Sequence, residues 1–557
     1  MKGFYLVVIN ALLITFVSAQ KQSVAYMSPL DIDLVLNGTF GELRANHFHS
    51  GIDFSTSRKI GYSVYAVEDG EINRIKISAF GYGNVLYVKH PDGYTTVYAH
   101  LDNFAEPIAS YVKNEQYKQK KFDVELFPLK NELSVKKGNV IAYSGNTGSS
   151  GGPHLHFEIR NTETESIINP YILGMFTEIK DTQKPIVNGL WVYPKSDSVA
   201  IQGIYRMLPL EYKRMGNGSY RSDKIFVNGE VGFGINSYDV LENSFGKNGI
   251  YEMVMKVNGT VYSHVKFDEF TFDQTRYINH YIDFEKLQLD GQRVQKLFNK
   301  NMHPIPVYKV LKNSGFVPVK ENEDYEIVIE VSDFHKNKQI FSIPISYKNY
   351  PLPVTEQPNG KFIDYYRDYI FEENDKYVEW KAKTFYEDFY IDIQLKEDEI
   401  ILGPNTIAVH ENIDLRFNVK NLSIQKEKAF IGRIESDKIF YNETWKRGDD
   451  FRIRTKNMGV FKIVEDLEPP TLTNKTISNL KLTDDLIFEI DDKLSGIGEI
   501  TANINGSWAL FTYDYKTKLI THKLSDGVAV KGKNNLILEI KDRTGNNVIF
   551  EYPFTIP

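Results

Sequence analysis

Four short runs, GEINRIKIS, NVLYVKH, YTTVYAHL and LHFEIR, alternate apolar and polar residues and are separated by glycine-bearing turns. Alternation with period two puts successive side chains on opposite faces of a strand, and closely spaced turn signals join such strands in antiparallel order. The chain is therefore expected to be mainly β. Tyr and Phe number 35 each, and both residue types favour a pleated, half-buried surface. Hydrophobic residues make up 42% and charged residues 25%, a globular rather than a disordered balance. At 557 residues the chain exceeds one ordinary core, and roughly three to five domains are expected.

Residues 20–178 carry the runs just quoted and are expected to form one antiparallel β domain. A polar, Lys-rich insertion at 102–134 interrupts them, and its middle, ASYVKNEQYKQKK, has the character of a helix. Insertions of this length in a compact domain are often lids or cleft walls. Beyond Pro170 the chain repeats itself. DTQKPIV from Asp181 is echoed by DLEPPTL from Asp466, and MVMKVNG by ITANING. YEIVIEVSDFHKNKQIFSIPI is echoed by NLILEIKDRTGNNVIFEYPF. Matching starts, middles and ends predict a repeated immunoglobulin-like β-sandwich module. The expected divisions are 179–351, enlarged by an insertion near 264–320, then 352–465 and 466–557.

The first residues, MKGFYLVVINALLITFVSAQ, combine one Lys, an apolar run and small residues before position 20. This is the pattern of a secretory signal peptide spanning residues 1–19. The apolar run, about 14 residues, falls short of the roughly 20 needed to span a bilayer, and no later run is long enough. The chain has no cysteine, which tilts the reading towards a bacterial exported protein and removes thiolate from any metal site. A net charge of −7 comes from 66 basic and 73 acidic residues mixed along the chain, so no nucleic-acid footprint stands out.

Six of the 12 histidines fall between residues 47 and 156. In HFHSGIDF, His49 and Asp53 are four apart and face the same way on a strand. In GGPHLHFEIR, His154 and His156 share one strand face while Leu155 and Phe157 point to the opposite layer. A lone H-x-H is more often a polar strand face than a metal site. Together, however, His49, Asp53 and one histidine of the pair supply the three nitrogen and oxygen ligands of a catalytic zinc, leaving a fourth position for water. The remaining histidine of the pair and His100 are candidate acid/base groups. The glycines at 145, 148, 151 and 152 lack the Lys-Ser/Thr of a phosphate loop and are expected to turn the backbone tightly beside a cleft. His47 is expected to pack or hydrogen-bond beside the site, and His90, before Pro91-Asp92-Gly93, to be structural.

In that order and setting the chain resembles the lysostaphin-like (LytM-type) zinc metallopeptidases that cut peptidoglycan cross-bridges. The resemblance runs through FGELR, HFHSGIDF, VYAVEDGEI, GYGNVLYVKHPDGYTTVYAHL and VKKGNVIAYSGNTGSSGGPHLHFEIR to a closing NP, about a quarter of the chain. It is most like exported envelope peptidases of Gram-negative bacteria that append β-sandwich domains. The resemblance implies one zinc ion held by His49, Asp53 and His156, with His154 and His100 on the family's two catalytic histidine positions. Asn84 and Arg44 are candidate substrate contacts. Some members place a tyrosine hydroxyl upstream of the first ligand; here the nearby aromatic is Phe40, which puts that contribution in doubt.

The function so implied is an exported, periplasmic or envelope zinc endopeptidase acting on peptidoglycan stem peptides. The alternative is a non-cleaving peptidoglycan-binding or regulatory protein that activates a partner hydrolase. The sandwich modules would then supply protein or glycan contacts.

Overall fold

Strand His154–Asn161 sits at the centre of the N-terminal sheet. Ile52–Ser55 pairs with it on one side and Tyr94–Leu101 on the other, both antiparallel. The order continues outward to Leu36–Gly38 on the first flank and to Asn84–Lys89, Gly70–Ile77 and Val124–Leu126 on the second. A smaller sheet of Ser63–Tyr65, Val140–Tyr143 and Asn103–Phe104 shares the same apolar core. Leu155, Phe157 and Ile159 point into that core and are fully buried. The strand pleat therefore puts His154, His156, Glu158 and Arg160 together on the opposite face.

The middle of the 102–134 insertion is the helix Ile108–Gln119, which buries Ile108 and Val112 in this core. It ends where Lys120 turns left-handed (φ 52°) and its N–H bonds back to the Gln116 carbonyl.

The computed structural model describes residues 26–242, 244, 246–353 and 359–557; the expected signal peptide lies outside them. Among the described residues no helix is long and apolar enough to cross a membrane. Beyond Asn169 the chain is built of paired sheets. A five-stranded sheet containing Ile186–Pro194 and Glu230–Tyr238 and an eight-stranded one containing Asp324–Ser332 and Lys338–Tyr347 share a core around Phe233, Ile329 and Phe341. A six-stranded and a five-stranded sheet follow, with Trp380, Phe451 and Phe461 in their common core. Two four-stranded sheets come last, around Phe488, Ile504 and Leu538. The chain is mainly β and almost wholly antiparallel. Tyr220–Ser222 and Ile225–Val227, which run parallel to Lys338–Tyr347, depart from this.

Two sets of contacts tie later sheets to the N-terminal one. Phe40 and Phe48 belong to the core of the region after residue 179; Phe40 stacks on Phe270 at 4.7 Å between ring centroids. Strand Ile167–Ile168 extends the N-terminal sheet by pairing with Glu269–Phe270. From the other end of the chain, Tyr117 meets Trp508 edge-on at 5.2 Å and Lys113 pairs with Asp526 at 2.5 Å. Lys516 Nζ donates to the Asn146 carbonyl and, at 3.3 Å, to that of Ser150.

Candidate metal centre

The segment HFHSGIDF is held from behind. Phe48, between two histidines, is fully buried against Phe267, Phe270 and Tyr281 of the following module, so His49 faces the other way. Gly51 allows the segment to lie against strand His154–Asn161. A Cβ there would sit 2.3 Å from the Phe157 carbonyl oxygen and 3.0 Å from His156 Cε1. The pairing register then sets Asp53 directly opposite His156.

Three atoms converge as a result. His49 Nε2 lies 3.1 Å from both Asp53 Oδ1 and His156 Nδ1, and His156 Nδ1 lies 2.8 Å from Asp53 Oδ1. The far nitrogens of both rings are committed as donors. His49 Nδ1 donates to the Thr39 carbonyl at 2.8 Å, and His156 Nε2 to Glu158 Oε1 at 2.9 Å. In the neutral rings the near nitrogens therefore carry lone pairs, aimed at each other and at a carboxylate. Asp53 and His156 are 5% and 4% exposed, so water does not relieve this. Three electron-rich atoms at these spacings fit one divalent cation with nitrogen and oxygen ligands.

The electrostatics agree. Burial alone would raise Asp53, but the His49 charge and hydrogen bonds from His154, His156 and His49 hold it well below the carboxylate range. Burial lowers His156, yet Asp53 and Glu158 pull it up to about 9.

His154 and His100 flank this centre. His154 Nδ1 donates to the Gly152 carbonyl at 2.8 Å, and its Nε2 lies 3.4 Å from Asp53 Oδ1. His100 Nδ1 donates to the Thr147 carbonyl at 2.9 Å, and the two rings are 4.8 Å apart. His100 thus presents Nε2 as a free acceptor near the cation position, whereas His154 Nε2 faces the Asp53 carboxylate. Burial first, then the charges of His156 and His154, push His100 down to about 3. Its backbone is left-handed (φ 58°), a strained state for a non-glycine residue at the end of a strand. Of the four loop glycines, Gly148 has the left-handed φ of 69°, and Gly145 approaches the His100 carbonyl; Gly151 and Gly152 face open space.

Arg44 and Asn84 have local partners. Arg44 Nη2 donates to Asp53 Oδ2 at 2.9 Å and to Glu42 at 3.0 Å, which fixes the ligand's outer oxygen. Asn84 Nδ2 donates to the Asp102 carbonyl at 3.2 Å. It borders a cavity of about 870 Å³ between this domain and the C-terminal sheets. None of His49, Asp53, His100, His154 and His156 lines that cavity; Thr147 and Pro153 join it to the centre. His47 is exposed and donates to the Ala45 carbonyl, whereas His90 is buried between the Asp69 carbonyl and Thr96. Phe40 is buried 97% within the next module's core, with 3% exposed.

Sequence reasoning missed Glu158. It is fully buried and accepts from His156, from Ser50 at 2.6 Å and from Tyr82. Arg160 Nε donates to its other oxygen at 2.7 Å, while Nη2 sits 2.5 Å away without hydrogen-bond alignment. The signal was present, because carrying the alternation of HLHFEIR two and four residues past His156 reaches Glu158 and Arg160.

Residues 47–121 and 125–170 match the description of Peptidase family M23. This stretch is similar to M23 peptidase domains. Over 110 residues it is 39% identical to an uncharacterized metalloprotease of Haemophilus influenzae, covering 20% of this chain and 18% of that one. It is 35% identical over 112 residues to the DD-carboxypeptidase/endopeptidase Mpg of Neisseria meningitidis serogroup B, 20% of each chain. It is also 31% identical over 122 residues to the murein hydrolase activator NlpD of Escherichia coli K12, 22% of this chain and 25% of that one. The M23 match thus spans about a fifth to a quarter of these relatives.

Proposed function

We propose that the chain is an exported zinc-dependent endopeptidase that hydrolyses peptide cross-links of peptidoglycan. Residues 20–178 are assigned to the peptidase domain, and 179–351, 352–465 and 466–557 to three appended β-sandwich modules. One observation carries the reading: His49 Nε2, Asp53 Oδ1 and His156 Nδ1 meet with both imidazoles oriented to offer lone pairs. The chain has no cysteine, so a site of two nitrogens and one carboxylate oxygen suits zinc.

Bound there, zinc would supply Lewis acidity for a water and for the scissile carbonyl. The chain's own residues do the rest. Arg44 holds the outer oxygen of Asp53, and Glu158 holds the His156 ring. The Thr147 and Gly152 carbonyls fix the tautomers of His100 and His154; Nε2 of His100 is left to take a proton or, once protonated, to donate to a developing oxyanion, and Nε2 of His154, beside Asp53 Oδ1, would do so once a metal engages that oxygen.

The similarity to an activator motivates a second reading, a domain that binds peptidoglycan and switches on a partner without cutting. Incubation with cross-linked sacculi separates the two. Mass spectrometry of the released muropeptides should reveal uncross-linked products from the wild type and none from His156→Ala or chelated protein. Zinc-loaded wild type that leaves the sacculi intact would favour the activator.

A further inference from the structure

The C-terminal module meets the peptidase domain at two rims and stands away from it between them. At one rim Phe80 packs on Tyr515 with ring centroids 4.7 Å apart, and Lys516 Nζ reaches the carbonyls of Asn146 and Ser150. At the other, helix Ile108–Gln119 sets Lys113 against Asp526 and Tyr117 against Trp508. Asn146 from the first rim and Lys113 and Asp526 from the second all line the cavity of about 870 Å³. That volume falls in the range of ligand sites, about 300–1,000 Å³.

The outer wall of this cavity is one face of a hairpin. Strands Thr512–Asp514 and Leu519–Lys523 pair with Thr512 opposite Thr521 and Asp514 opposite Leu519. Alternation turns Thr512, Asp514, Leu519, Thr521 and Lys523 to one side, and all five line the cavity. Ile520 and His522, on the opposite side, are fully buried in the module. Surfaces that only pack together close on apolar side chains, but here the middle stays open and polar. Across from the hairpin stand Asn84, Asn103, Ser110 and Gln116. Such hydroxyls and amides can both donate to and accept from a peptide backbone. The cavity joins the metal centre at Thr147, whose carbonyl holds His100, and at Pro153, which precedes His154. Charge narrows the occupant. Lys113 is taken by Asp526, whereas Asp102, Glu106 and Asp514 have no ion pair among the described residues and face a single unpaired lysine, Lys523. The excess of negative charge favours a cationic ligand.

We propose that the C-terminal module, residues 466–557, is the second wall of the substrate cleft. The cavity takes the peptide on one side of the scissile bond and favours one that carries a free ammonium group. This role rests on the endopeptidase reading and goes beyond it, because it gives part of substrate selection to a module outside the peptidase domain. Thr512 and Thr521 offer hydroxyls to the peptide backbone, and Asp514, with Asp102 across the gap, offers carboxylates to the ammonium group. The two rims hold the walls at one separation, so the site is ordered before substrate arrives.

The test is calorimetric titration into full-length, zinc-loaded His154→Ala protein, a background in which bound substrate is not consumed. Two ligands are compared: a soluble, peptide-cross-linked muropeptide dimer with its amines free, and the same dimer acetylated on those amines. The free dimer should bind about threefold more tightly, the scale of a solvent-exposed ion pair. Thr521→Trp should weaken its binding by at least about tenfold, because the indole fills the cavity from the hairpin side. Ile549→Trp, at an exposed position of the module's other sheet, should leave binding unchanged. Thr512→Trp replaces Thr521→Trp should the latter misfold by circular dichroism. A background that binds neither dimer, a folded tryptophan variant of the hairpin that binds as the background does, or equal binding of the two dimers would overturn the proposal. Binding is read without turnover, so wild type that leaves sacculi intact counts against the endopeptidase reading alone.

Discussion

Replacing Glu158 with Gln keeps the side chain's volume and removes its charge. In the native site one oxygen accepts from His156, Ser50 and Tyr82, and the other from Arg160 Nε. If the amide oxygen stays on the histidine side, its NH₂ faces the Arg160 donors and leaves the buried guanidinium with only a 3.5 Å contact to Glu165. Removing one partner of a buried ion pair costs about 3–5 kcal/mol. Loss of the charged acceptor behind a metal-ligating histidine weakens metal binding by about 10–100-fold. These two effects separate in the double variant Glu158→Gln/Arg160→Met. The methionine removes the stranded cation and keeps an apolar stem beneath Phe272, over whose ring the guanidinium now lies at 4.7 Å. Stability should then recover by most of the lost amount, while zinc affinity stays low. Denaturant unfolding gives the first quantity, and competition with a chelating indicator gives the second. If Glu158→Gln binds zinc within about threefold of wild type, Glu158 does not tune the centre and the argument from His156 Nε2 fails.

Phe48→Ala should cost about 3–5 kcal/mol, because the ring is fully buried in the following module, and should weaken zinc binding by freeing the His49 segment. Denaturant unfolding and zinc competition measure both, and unchanged zinc affinity would mean that the module does not position His49. Lys516→Met removes a charge-assisted donor from the Asn146 and Ser150 carbonyls, within the loop whose Thr147 and Gly152 hold His100 and His154. Hydrolysis of sacculi should fall about 10-fold with zinc content unchanged; a rise would mean that the C-terminal sheets obstruct the cleft instead. At pH 7.5, zinc uptake by metal-free protein should release about one proton per ion, since His156, raised to about 9, is protonated there until the metal displaces it. Calorimetry in buffers of different ionisation heat detects this, and the absence of release would remove His156 from the ligand set.

What was legible in the chain was what local pattern controls. Alternation in YTTVYAHL and LHFEIR gives strands because a half-buried sheet needs that period, and the two strands are neighbours in the sheet. The echo of DTQKPIV in DLEPPTL extends to like hydrogen bonds, from Asn337 to the Asp181 carbonyl and from Asn546 to the Asp466 carbonyl. What stayed hidden depends on partners far along the chain. Phe48 reads locally as one more core residue, yet its ring meets Phe267, Phe270 and Tyr281, more than two hundred positions away. Arg44 reads as a candidate substrate contact. The turn between the strands of Leu36 and Ile52 brings it onto Asp53, a partner that the local sequence does not announce. Nothing near Asn146 in sequence announces Lys516.

The two histidines of HLHFEIR show where pattern stops and register takes over. Periodicity puts both on one face and cannot rank them. Pairing can, since His156 stands opposite Asp53 and His154 opposite Ser55. His156 also has Glu158 two residues on to hold its outer nitrogen, whereas His154 Nδ1 is tied to the turn at Gly152. Equivalent side chains two residues apart thus acquire different surroundings: one fully enclosed between carboxylates, the other with 15% of its side chain exposed towards the cleft. A buried imidazole between two anions is suited to hold a cation, and a partly open one to exchange protons with substrate. If that division is right, His154→Ala should keep zinc and lose hydrolysis, and His156→Ala should lose both. The same phenotype from the two variants would mean that the register does not set their roles.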